Sequence, residues 1–158
     1  MAETWVTFTV GGLHLALPVQ RVEEVLRRHQ VTRIPLAPHG VAGLMNLRGQ
    51  LVLAIDLRAR IGVFPRDPDA QPMHVVVSVG GSTYGLLVDE IGDVLDLEVD
   101  VHDAVPDRIR GDLRHLLTGV LRLPDHLLLA LDVERVIREI APHLDTSADG
   151  QGAERLFV

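Results

Sequence analysis

The chain repeats itself, and that repeat limits what it can fold into more than any other feature. Residues 6–26 read VTFTVGGLHLALPVQRVEEVL and residues 75–95 read VVVSVGGSTYGLLVDEIGDVL, and the two align without a gap. Val10, Gly11 and Gly12 fall on Val79, Gly80 and Gly81, Leu17 falls on Leu86, Val25 on Val94, and the acidic Glu24 on Asp93. A second pair follows at 43–61 and 119–137, placing Gly43 on Gly119, Ala54 on Ala130 and Asp56 on Asp132. Self-similarity on this scale marks a duplicated supersecondary unit. The sequence therefore predicts one domain over residues 4–140 built from two repeats, about 4–66 and 73–140, joined at the Pro- and Asp-rich PRDPDAQP of residues 65–72. Strand exchange between the repeats is open to such a chain.

Each repeat begins with alternating apolar and polar residues around Gly-Gly, the signal of a β-hairpin whose turn needs positive φ. Further apolar runs of strand length lie at 22–26 and 51–55. Many short strands at even spacing read as a barrel or a sandwich. Helix signals are few. Asp132 heads a stretch with apolar residues at helical spacing and a stop near Pro142, which predicts a helix over 132–140. Asp56 heads a matching single turn over 56–61, and the equivalent placing of the two aspartates favours helix capping over a catalytic pair. Residues 141–158 are rich in Ser, Ala, Asp, Gly and Gln and read as a flexible tail.

Composition excludes several kinds of function. The absence of cysteine removes disulfides, thiolate nucleophiles and thiolate metal sites. No apolar run approaches the length of a membrane span, and the start, MAETWVTF, lacks the basic and apolar regions of a secretory signal, so the protein is expected in the cytoplasm. A formal charge of −7 argues against nucleic-acid partners, whose phosphates need a cationic surface. That charge is uneven: residues 1–70 carry +2 and residues 71–158 carry −9. Unlike ends of this kind would suit head-to-tail association, but charge alone favours the plainer reading of two unequal solvated faces.

Catalytic chemistry has no visible foothold. Ser78, Ser82 and Ser147 lie outside any G-x-S-x-G elbow. The Gly-Gly pairs lack the Gly-Lys-Ser/Thr of a phosphate loop, and the eight histidines show no paired spacing that would seat a metal. No catalytic residue, cofactor or metal ligand is assigned, and the chain is not expected to be an enzyme. The turn Asn46-Leu47-Arg48-Gly49 stands apart, because the second repeat has Arg122-Leu123-Pro124-Asp125 there. Spacing alone leaves Arg48 open between a plain turn arginine and a partner for Glu24.

Several of these segments, in this order, resemble the CheW family. They are Val22-Glu23-Glu24-Val25, Ile34-Pro35, Gly43-Leu44-Met45-Asn46-Leu47-Arg48-Gly49, Asp56-Leu57-Arg58, the Gly85-Leu86-Leu87-Val88-Asp89 strand and the closing stretch 119–133. One departure is Leu53-Ala54, where that family commonly has a proline. The resemblance implies a mainly all-β fold of two pseudo-symmetric five-stranded SH3-like β-barrel subdomains packed over a shared groove, with a short C-terminal helix. It implies a non-catalytic adaptor that couples methyl-accepting chemoreceptors to the histidine kinase CheA, working at receptor arrays under the inner membrane. The partners it implies are the receptor signalling tip and the kinase regulatory domain. Carried onto this sequence, the partner-facing residues are Val22, Glu24, Gly43, Asn46, Leu47, Arg48 and Gly49, with Leu87 and Val88 from the second repeat. Glu24 and Arg48 resemble a family ion pair that holds the binding turn. The runner-up is the regulatory domain of a CheA kinase or a CheV-like adaptor fragment, and a small β-barrel ligand-binding protein or enzyme is the remote alternative.

Overall fold

The computed structural model describes residues 2–98 and 101–140; the expected tail over 141–158 lies outside them. The first repeat supplies β1 (Ala2–Val10), β2 (Leu13–Pro18), β3 (Val22–Leu26), β4 (Val41–Leu47), β5 (Gln50–Asp56) and helix α1 (Leu57–Ile61). The second supplies β6 (Met73–Val79), β7 (Ser82–Val88), β8 (Glu90–Glu98), the two-residue β9 (His102–Asp103), α2 (Gly111–His115), β10 (Leu117–Arg122), β11 (Leu127–Leu131) and α3 (Val133–Arg138). Both hairpin turns have the positive φ that Gly-Gly predicts, at 57° and 80° for Gly11 and Gly12 and 58° and 81° for Gly80 and Gly81. Asp56 and Asp132 cap their helices, accepting from the Arg58 and Arg135 backbone N–H at 3.0 and 3.1 Å.

The strands form two sheets, and each sheet takes strands from both repeats. One has the order β3-β6-β7-β5-β4, the other β8-β1-β2-β11-β10-β9. Equivalent strands occupy equivalent places, so the hairpin β6-β7 is inserted between β3 and β5, and the hairpin β1-β2 between β8 and β11. The registers match too. Ala54 pairs with Gly85 where β5 runs parallel to β7, and Ala130 pairs with Ala16 where β11 runs parallel to β2. Bulges fall at the same points, before Gly43 on β4 and before Gly119 on β10. The expected count of five strands holds for one sheet only, because the longer insertion of the second repeat adds β9 at the edge of the other.

Alternate residues of the central strands face two different cores. Phe8, Leu15, Leu17, Leu53, Ile55, Val75, Val77, Leu86 and Val88 belong to the large cluster shared by the two sheets. Met45, Val52, Ala54, Val76 and Leu87 form a cluster proper to the five-stranded sheet, and Trp5, Ala16, Leu121, Leu128 and Ala130 form one in the six-stranded sheet. The small residues at the parallel crossings leave room for large ones beside them: a Cβ on Gly85 would come within 2.9 Å of the Met45 side chain.

Candidate functional site

The turn that distinguishes the first repeat joins β4 to β5. Leu47 pairs with Gln50, leaving Arg48 and Gly49 as a two-residue loop. Their φ angles, 52° and 85°, are both positive, as a type I′ turn requires. Asparagine three residues before the glycine stabilises it, since the Gly49 N–H donates to Asn46 Oδ1 at 2.9 Å. The Arg48 guanidinium reaches across to β3 and donates to Glu24 Oε2 at 2.6 Å. The arginine stays 74% exposed while the carboxylate is only 21% exposed. The pair thus presents a fixed cation on a tight turn, with its counter-ion set back against the sheet.

The other predicted site residues divide in two. Val22 and Leu47 are half-buried, packed against the shared core and the five-stranded sheet's own core. With Glu24, Asn46, Arg48 and Gly49 they gather around β3 and the turn. Gly43 is buried at the bulge, and it is needed there for the fold: a Cβ would lie 2.1 Å from the Thr32 carbonyl oxygen. Thr32 and Leu44 exchange backbone hydrogen bonds of 2.7 and 2.8 Å at that point. Leu87 is 6% exposed and touches only the wall of an open cleft of about 640 Å³ beside the loop after β3. Val88 is wholly buried in the shared core, so in this structure it offers no surface to a partner. Its strand is central in the sheet and buried on both faces, which is why GLLV is an unbroken apolar run.

Residues that the sequence reading left unused complete the picture. Val25 on β3 and Leu51 on β5 are 45% and 59% exposed. Asp89, just past β7, holds Arg58 with two bonds of 2.9 and 2.7 Å and takes the Gly11 N–H at 2.7 Å. Arg66 from the linker adds a contact at 3.4 Å. Burial pushes the Asp89 carboxyl up, but the Arg58 and Gly11 hydrogen bonds and the two arginine charges outweigh it and hold it below the usual carboxylate range. Both D-L-R and V-D were visible as motifs; their meeting was hidden, because it depends on β5 lying beside β7. Among the described residues, no group of three or more His, Cys, Asp or Glu side chains could hold a metal, and no helix is long and apolar enough to cross a membrane.

The CheW-like domain model matches residues 4–141. The chain belongs to the CheW-like family. It is 30% identical to the probable chemotaxis protein CheW of Rhizobium etli over 85% of this chain and 86% of that protein. It is 28% identical to the chemotaxis protein CheW of Klebsiella aerogenes over 87% and 82%. Protein PilI of Pseudomonas aeruginosa is 28% identical over 75% of this chain and 67% of its own length. Among solved structures, the scaffolding protein TtCheW from Thermoanaerobacter tengcongensis superposes with a TM-score of 0.78 at 24% identity, covering 86% of this chain and 92% of that one. The paired sheets and short C-terminal helix are therefore a CheW fold.

Proposed function

We propose that this protein is a non-catalytic adaptor that couples a methyl-accepting chemoreceptor to a CheA-type histidine kinase in chemotaxis-like signalling, at receptor arrays on the cytoplasmic face of the membrane. The observation that carries the reading is the turn at 46–49. An exposed arginine is held in a left-handed backbone conformation by an asparagine bond and an ion pair. Left-handed backbone costs an ordinary residue about 1–2 kcal/mol, so the fold gives up stability to display Arg48. Val22, Glu24, Asn46, Leu47 and Gly49 form the surface around it, with the exposed Val25 nearby. Leu87 contributes only through the cleft wall, and Gly43 and Val88 act by shaping the turn and the core. CheW relatives share this architecture over most of their length, which supports the same role here.

Arg48→Glu separates binding from folding. The Arg48–Glu24 pair is largely exposed on the arginine side, so its loss should cost at most about 1 kcal/mol of stability. At an interface, reversing a positioned charge costs roughly 2–5 kcal/mol, or thirtyfold and more in affinity. Titration calorimetry against a receptor signalling-tip peptide and the kinase regulatory domain, beside a thermal melt, decides the matter. Wild-type affinity for both partners in the variant would refute the proposal, as would a binding loss explained by unfolding. Arg138→Glu, on an exposed side chain of α3, serves as the charge control.

A further inference from the structure

His74 plays no part in the adaptor reading, and its surroundings are costly enough to need a reason. It lies on β6, opposite Leu26 of β3 and Leu87 of β7. The side chain is completely buried, and neither ring nitrogen makes a hydrogen bond of good geometry, the His29 backbone beside it being poorly placed for one. Burying an unpaired polar group is unfavourable, so an apolar residue would serve the core better. The repeat supplies the comparison. His74 corresponds to Trp5, which fills the same place in the other sheet's core.

The imidazole leads outward to the turn. Its ring meets that of His29 edge to face, with centroids 6.3 Å apart and planes at 80°. His29 Nε2 lies 2.6 Å from the Asn46 carbonyl oxygen. A carbonyl only accepts, so His29 donates. The Asn46 side chain in turn receives the Gly49 N–H. A continuous series of contacts thus runs from the buried ring of His74 through His29 and Asn46 to the loop that carries Arg48.

We propose that His29, braced on the buried ring of His74, is a positioning residue for the turn at 46–49, and that proton uptake at His74 releases that turn. The link to partner affinity rests on the adaptor reading above; the mechanical part does not. Burial first, then the electrostatic influence of His29 and of Arg66, hold the proton affinity of His74 below the ordinary imidazole range, against a backbone contact with His29 that raises it. The titratable and charged groups facing it are His29 from the loop after β3 and Arg66 from the linker. Its cross-strand neighbours on β3 and β7 are the apolar Leu26 and Leu87, so neither of those strands sets a carboxylate opposite it. The closed state therefore prefers the neutral ring. As pH falls below about 6.5, the free imidazole value, an opened state takes up a proton that the closed state refuses. Opening then grows by up to about tenfold per pH unit, the limit for one proton.

Amide hydrogen exchange of Gly49 in the full chain, corrected for intrinsic rates and measured without any partner between pH 7.5 and 5, reads the turn directly. Protection in the wild type should fall below about pH 6.5 by up to about tenfold per unit. His74→Phe should lose this pH dependence, because it removes the titrating ring while keeping an aromatic side chain, as the equivalent Trp5 does in the other sheet. His74→Leu carries the same test should the phenylalanine variant not fold. His29→Ala should lower Gly49 protection by about three- to tenfold at pH 7.5, the worth of one hydrogen bond. Receptor-tip affinity should weaken between pH 7.5 and 5.5 in the wild type and not in His74→Phe. A flat wild-type exchange profile, or an unchanged profile in both His74 variants, overturns the proposal. Normal partner binding by Arg48→Glu would instead overturn the adaptor reading and leave the positioning role intact.

Discussion

Two glycines of the G-x-x-N-L-R-G segment show how differently the same residue type can be used. Gly49 has φ of 85° and open space where a Cβ would stand, whereas at Gly43 a Cβ would collide with the Thr32 backbone. Gly49→Ala should therefore cost about 1 kcal/mol, from strain alone. Gly43→Ala, which must move backbone, should cost about 1–3 kcal/mol and shift the β3–β4 loop. Urea midpoints for the two variants test the ranking, and equal costs would contradict it. The motif was legible in the sequence; the division of labour within it was not, because Thr32 has no pattern linking it to Gly43. Val88 was misread for a related reason. A binding role was carried onto a run of apolar residues, and only the central position of β7 shows that both faces of that run are already covered.

The helices that close each repeat are pinned to the opposite repeat by ion pairs of opposite polarity. Arg58 on α1 binds Asp89 after β7, while its repeat counterpart, Glu134 on α3, binds Arg21 after β2. Had each repeat closed on itself, β5 would run beside β2, bringing Arg58 towards Arg21 and Glu134 towards Asp89. Like charges would then meet, so the polarity swap favours the exchanged pairing. Both aspartate caps were readable from residue type and spacing. These cross-repeat pairs were not, since a sequence gives no neighbours across a sheet. Asp89→Asn should cost about 2 kcal/mol at pH 7, as expected for losing charged hydrogen bonds with partial burial. The folded carboxyl titrates below its free value, so its contribution is complete above the ordinary carboxylate range and is lost as pH drops through the depressed one. Urea denaturation between pH 7 and 2.5 should show the wild type and Asp89→Asn converging in acid; a constant gap would refute the assignment.

At the scale of the whole molecule, the duplication was the most legible feature and the partnering of its halves the least. Period, hairpin turns and closing strands are properties of each copy alone, and they read correctly. Which copy's fifth strand lies against which copy's second depends on contacts between residues some thirty to more than a hundred positions apart, as Leu53 with Tyr84 and Leu129 with Leu15 show. The consequence concerns the linker at 65–72. Every sheet is knit from both repeats, so the peptide bonds there hold together two pieces that are already interlocked by β1 against β8, β3 against β6, β5 against β7 and β11 against β2. A single proteolytic cut in that segment should leave two fragments held together as an obligate heterodimer. The nicked protein should elute at the intact size, and neither fragment should show a cooperative melt when isolated. Its melting temperature should now rise with concentration, because unfolding has become a dissociation; a concentration-independent melt after cutting would show that one fragment folds alone.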